Sequence, residues 1–169
     1  MKRYLFALIV ATLASPTSSF AKTHHDKPPR VAASSTFDAA ADRALATMTI
    51  QAQKMGVGGV ALVSYFQGDT IQSWSSKMTV VGRYKDLQTA TDKGSNLLAI
   101  AYAKAAEMAD TLKDSGSGVR PPMTGEFGWK GGVIGRVKSG YWIVAFSGGK
   151  SEDDVAISHA GLSDLETAP

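Results

Sequence analysis

Residues 140–165 read Gly-Tyr-Trp-Ile-Val-Ala-Phe-Ser-Gly-Gly-Lys-Ser-Glu-Asp-Asp-Val-Ala-Ile-Ser-His-Ala-Gly-Leu-Ser-Asp-Leu, and they limit what the rest of the chain can do. Tyr141 to Phe146 is a run of aromatic and β-branched residues of the kind that fits a pleated, buried strand. Ser147-Gly148-Gly149 breaks it. Ser151 is a good N-cap, Asp154 stands where a capping box puts an acid, and Glu152 and Asp153 add negative charge that suits a helix N-terminus. A strand feeding through a glycine turn into a self-capped helix is therefore expected, with the helix starting at Ser151.

The other elements follow from spacing. A helix is expected from Ser35 or Thr36, with Phe37, Ala41, Ala44, Leu45, Met48, Ala52 and Met55 on one stripe and Gly56 closing it. Residues 59–65 and 70–75 read as a hairpin around Gln67-Gly68-Asp69, with Met78, Val80 and Val81 as a candidate extension. A second helix starts between Thr89 and Ser95, with Ser95 or Asn96 as cap and Leu97, Ala101, Ala105, Met108 and Leu112 inward. Lys104 and Glu107 fall off that stripe, which places them on a solvated face. Residues 131–137 and 141–146 form another hairpin around Lys138-Ser139-Gly140, with Gly140 in the left-handed position. Two hairpins force antiparallel pairing, so the class is α+β: one domain with helices packed on an antiparallel sheet.

The first 21 residues have a basic start (Lys2, Arg3), an apolar centre of about ten residues, half a membrane span, and a small-residue end, the make-up of a signal peptide cut after Ala21. The expected organisation is a leader over 1–21, a flexible tether over 22–34 and a single domain over 35–169, placed in the periplasm or secreted. Losing Lys2 and Arg3 lowers the basic count from 18 to 16 against 15 acids, a net charge of +1, and no basic stripe remains to bind nucleic acid. The absence of cysteine removes thiol chemistry and Cys-type zinc sites.

Three places could carry chemistry. Cleavage after Ala21 would expose Lys22-Thr23-His24-His25, whose amine, backbone amides and His24 imidazole suit a square-planar Cu(II) site, with His25 beside it; a solvated tail is the plainer alternative. Residues 114–130, rich in Gly, Ser and Pro, hold Arg120, Met123, Phe127 and Trp129. There the rings could wall a pocket and Arg120 could fork onto a ligand carboxylate, or Phe127 and Trp129 only pin the loop to the sheet. Ser147-Gly148-Gly149-Lys150 offers backbone N–H groups and a lysine to an anion, but Glu152, Asp153 and Asp154 already occupy that field, so the ligand is expected nearer 114–130. No Gly-x-Ser-x-Gly elbow or P-loop is present.

Gly131-Gly132-Val133-Ile134, Val144-Ala145-Phe146-Ser147-Gly148-Gly149, the run from Glu152 through Asp154 to Ala160-Gly161-Leu162, and Ala101-Tyr102-Ala103-Lys104-Ala105 together resemble the GlcG/HbpS family of small haem-binding domains. The resemblance spans most of residues 35–165. It implies a profilin-like fold with a five-stranded antiparallel sheet, homo-oligomers, and haem or a related tetrapyrrole as ligand, with a membrane sensor kinase as a partner of some relatives. It implies an exported haem-binding or haem-sensing protein without turnover of its own; the alternative is an accessory protein or enzyme handling small carboxylates such as glycolate. The chain departs from the family pattern at Met78-Thr79-Val80-Val81, in extra residues up to Gly94, and in extra residues before Phe127. No haem ligand carries over to a position here.

Overall fold

The computed structural model describes residues 31–167. The leader, His24, His25 and the tether up to residue 30 lie outside the described residues. Helix α1 (Val31–Lys54) begins earlier than Ser35, because Ala32, Ala33 and the serines beside them extend it backward at little cost. It ends in a Schellman turn: Val57 N–H donates to Ala52 O and Gly56 N–H to Gln53 O.

Strand β1 (Gly59–Gln67) pairs antiparallel with β2 (Trp74–Val81) and with β6 (Gly140–Ser147), and β6 pairs with β5 (Gly132–Val137). The sheet order is β2-β1-β6-β5. Strand β2 lies later than residues 70–75, because the Phe66–Trp74 pair closes the hairpin and Met78 and Val81 pack into the cores on opposite faces of the sheet. Among the described residues the main sheet has four strands, not five. After Val81 the chain turns, Arg83 N–H bonding Val81 O, and β3 (Lys85–Asp86) pairs instead with β4 (Ser95–Asn96) in a separate two-stranded ladder. At Gly140 the reason for glycine also differs from the expectation: it pairs with Gln67 inside the ladder, and a Cβ there would collide with Phe66 O.

Helices cover both faces. Helix α1 and helix α3 (Ser151–Glu166) lie on one, where Ala61, Val63, Val144 and Phe146 meet Leu45, Met48 and Ile157. Helix α2 (Leu97–Thr111) lies on the other, where Val60, Leu62, Ile143 and Ala145 meet Ala101, Ala105 and Met108. The alternation along β1 and β6 feeds both cores at once, which is why these strands read as nearly continuous apolar runs. No helix among the described residues is long and apolar enough to cross a membrane.

Candidate functional site

The expected solvated face of α2 is buried. Lys104 is 3% exposed, and its Nζ donates to Asp154 Oδ2 at 2.9 Å and to Phe146 O at 2.8 Å. Asp154 in turn accepts from Gly149 N–H at 2.8 Å. Its carboxylate therefore bonds one residue ahead of Lys150, the residue that caps α3, while Ser151 is the first helical residue rather than the cap. Burial pushes the Lys104 ammonium below the usual lysine value and the Asp154 carboxyl above the usual aspartate value, while their mutual attraction opposes both shifts. Gly131, at φ +134, makes the approach possible, since a Cβ there would strike Lys104 Nζ. Its carbonyl is bonded by Ser158 Oγ at 2.7 Å and Phe146 N–H at 3.0 Å. The short motifs dispersed between residues 101 and 154 thus meet at one buried ion pair.

Glu107 is buried as well and accepts from Gly116 N–H at 2.9 Å, fastening the start of the 114–130 segment. Ser115 Oγ accepts from Gly132 N–H and Asp114 Oδ1 from Ile134 N–H, so the segment is stitched to the edge of the sheet. Arg120 is not available to fork onto a ligand. Its guanidinium donates to Asp110 at 2.6 and 2.9 Å and to Glu126 at 2.7 and 2.9 Å, and Glu126 also accepts from Met123 N–H. These contacts hold the Glu126 carboxyl down at about 2 and raise the arginine above its usual value. Met123 and Phe127 project outward, and Phe127 stacks on Trp129 with centroids 4.8 Å apart. Of the four candidate residues in this segment, Trp129 alone lines the cleft described next.

That cleft, of about 170 Å³, opens over the buried pair. Leu97, Ile100 and Lys104 of α2 line it together with Ser147, Gly148, Gly149 and Ser151 from the turn into α3. Trp129 and Lys130, and Asp86 and Ser95 of the β3–β4 ladder, complete the lining. Ser147 is 3% exposed and borders the cleft. The two segments weighed against each other in sequence, 114–130 and the glycine turn, therefore face one space. The acids that argued against an anion at the turn are mostly elsewhere: Glu152 and Asp153 do not border the cleft, and Asp154 is neutralised by Lys104.

A tetrapyrrole does not fit inside. Sites that enclose drug-sized ligands run to roughly 300–1,000 Å³ and are mostly apolar, whereas this cleft is about 170 Å³ and bordered chiefly by serines, glycines and charges. Among the described residues no group of three His, Cys, Asp or Glu side chains could hold a metal ion, and His159 is exposed on α3.

No family model matches the chain, and no curated protein matches it. Among solved structures, the crystal structure of Klebsiella pneumoniae protein ORFY, described by the family model DUF336, matches at 14% identity and a TM-score of 0.50 over 78% of this chain and 90% of that one. At that identity the likeness establishes the fold alone: a DUF336-type arrangement, the family that includes GlcG-like proteins.

Proposed function

We propose that this profilin-like domain binds a small carboxylate-bearing ligand, with the acid group seated in the cleft between Lys130, the Ser147–Ser151 turn and the buried Lys104–Asp154 pair. The observation that carries the reading is the lining of the cleft, where Ser147, Gly148, Gly149 and Ser151 at the start of α3 border the same space as Lys130. Leu97, Ile100 and Trp129 supply apolar contact for a short carbon skeleton. Lys104 keeps Asp154 from repelling the acid, and Asp154 keeps Gly149 in place. Export behind the 1–21 leader, homo-oligomer assembly and a membrane sensor kinase as partner belong to the same proposal through the GlcG/HbpS resemblance.

Haem is the second reading, and one observation favours it: Trp129, 50% exposed and stacked on Phe127, stands at the mouth of the cleft. A tetrapyrrole would lie outside on this pair with one carboxylate arm reaching inward. A thermal-shift screen of glycolate and other short acids, run beside a haem titration followed at the Soret band, separates the two. Stabilisation by a short acid that disappears in Lys130→Gln supports the first reading. A saturable Soret shift at micromolar protein that weakens in Trp129→Ala supports the second. No response in either assay overturns both.

A further inference from the structure

We infer that residues 83–96 form a hinged flap beside the cleft and that Arg83 is the brace that holds it shut. As a gate for a carboxylate the flap rests on the reading above; as a moving part it stands on how the segment is attached. The segment gives nothing to either core. Val81 and Leu97 flank it and are buried, whereas no residue from 82 to 96 is. Tyr84 and Leu87, its two large apolar side chains, are exposed. Most of its bonds are internal. Lys85 pairs with Asn96 and Asp86 with Ser95, Thr89 N–H donates to Asp92 O, the Thr89 hydroxyl accepts from Asp92 N–H, and Asp92 Oδ1 accepts from Gly94 N–H. A segment that holds its own shape but buries no apolar surface against its neighbours opens as a unit at low cost.

Its ties to the rest of the protein lie near its two ends. Leu97 N–H donates to Tyr84 O at 3.0 Å, and Asn96 caps α2. At the other end Gly82 takes φ +74 with open space around it, so the chain can turn there without displacing a neighbour. Arg83 N–H bonds Val81 O across that glycine, and the Arg83 side chain does the rest. Its Nε donates to Asp86 Oδ1 at 2.7 Å, Nη2 to Gly148 O at 2.8 Å, and Nη1 to Gly58 O. One guanidinium thus sets the angle between the ladder, which lines the cleft through Asp86 and Ser95, and the glycine turn, which lines it through Gly148 and Gly149. The side chains of Arg83 and Asp86 are 41% and 42% exposed, so water competes for these bonds and parting them costs little. A ligand that touches Ser95 on one side and Lys130 or Ser151 on the other adds a tie across the gap, so that binding and closure support each other.

The test is amide hydrogen exchange followed by NMR, read at Leu97 N–H and at the paired amides of the ladder. Without ligand these are expected to exchange at least about tenfold faster than the amides of β1 and β6. Arg83→Gln should speed them about tenfold further and leave β1 and β6 unchanged, which also shows that the variant is folded. Arg83→Lys, whose compact ammonium lacks the fork that spans three acceptors, should fall between. Asp86→Asn loosens only the ladder end of the brace; it should move the same amides in the same direction and serves if Arg83→Gln folds poorly. Saturating glycolate, its binding checked by thermal shift, should slow the ladder amides of the wild type several-fold. Ladder exchange as slow as that of β6, or unchanged in both Arg83→Gln and Asp86→Asn, overturns the flap. Glycolate that binds without slowing the ladder overturns its role as a gate and leaves the carboxylate reading standing. No binding of glycolate or another short acid overturns the carboxylate reading, and the ligand-free exchange then decides the flap by itself.

Discussion

Two ion-pair clusters in this molecule use the same chemistry under opposite conditions. Lys104 and Asp154 sit 2.9 Å apart with almost no exposure, each satisfied by backbone groups from another element. Arg120 bridges an exposed Asp110 and a largely covered Glu126 at similar distances, nearer the surface, within one loop and the end of the helix before it. In the first, desolvation moves both groups toward neutrality, so the geometry must be complete for the charges to persist. In the second, water shares the load, and the bonds shape a loop more than they hold the fold. The contrast shows that the buried cluster is where a single change propagates, since α2, α3, β6 and the Gly131 turn all depend on it.

The strongest way to break the contrast is to remove one buried partner. Lys104→Met should cost about 3–5 kcal/mol in urea unfolding, because Asp154 would be left charged and unpaired. Adding Asp154→Leu to Lys104→Met should recover much of that loss, and a double variant no more stable than the single would argue against a desolvated pair. Gly131→Ala comes next. Its added carbon strikes Lys104 Nζ and its backbone holds φ at +134, so stability should fall by more than the roughly 1 kcal/mol of an ordinary point change.

The surface cluster should answer to pH instead. Glu126 has its folded pKa depressed from 4.5 to about 2, so its contribution is present above 4.5 and is lost as pH falls toward 2. Glu126→Gln should flatten the acid side of the stability curve in that window, its loss of stability standing in full at neutral pH and shrinking as pH falls toward 2. Arg120→Ala should act still more locally, raising the rate of proteolytic cutting within 114–130 with only a small drop in melting temperature. At the far end, breaking the exposed Lys77–Asp42 pair with Asp42→Asn should leave the melting temperature unchanged within error.

Much of the frame was legible in the residues. The period-2 and helical stripes located three helices and two hairpins, and Asn96 does cap α2, accepting from Ala99 N–H. What misled was the assumption that α2 has one buried side. Residues 97–109 carry two charges, Lys104 and Glu107, in a run otherwise dominated by alanine and large apolar residues, and that scarcity was the available signal that a second side is covered. Periodicity ranks faces by apolar content and cannot see a charge whose partner lies 50 positions away. The same limit applies to Arg120, whose partners Asp110 and Glu126 look in sequence like ordinary surface acids. The cleft was half legible: each of its two halves was singled out, but only the fold brings Trp129 and Lys130 to face Ser147 through Ser151.

The sharing of β1 and β6 between two cores divides the molecule by its tolerance for change. An alteration in either strand is felt on both sides of the sheet, so these strands have little freedom to drift. The ladder at 85–96 and the segment at 114–130 are attached from the α2 side and can lengthen, shorten or exchange residues while the α1–α3 layer keeps its packing. Both border the cleft. A scaffold arranged this way can take up a new ligand by rewriting two attachments, and the core that keeps it folded need not take part.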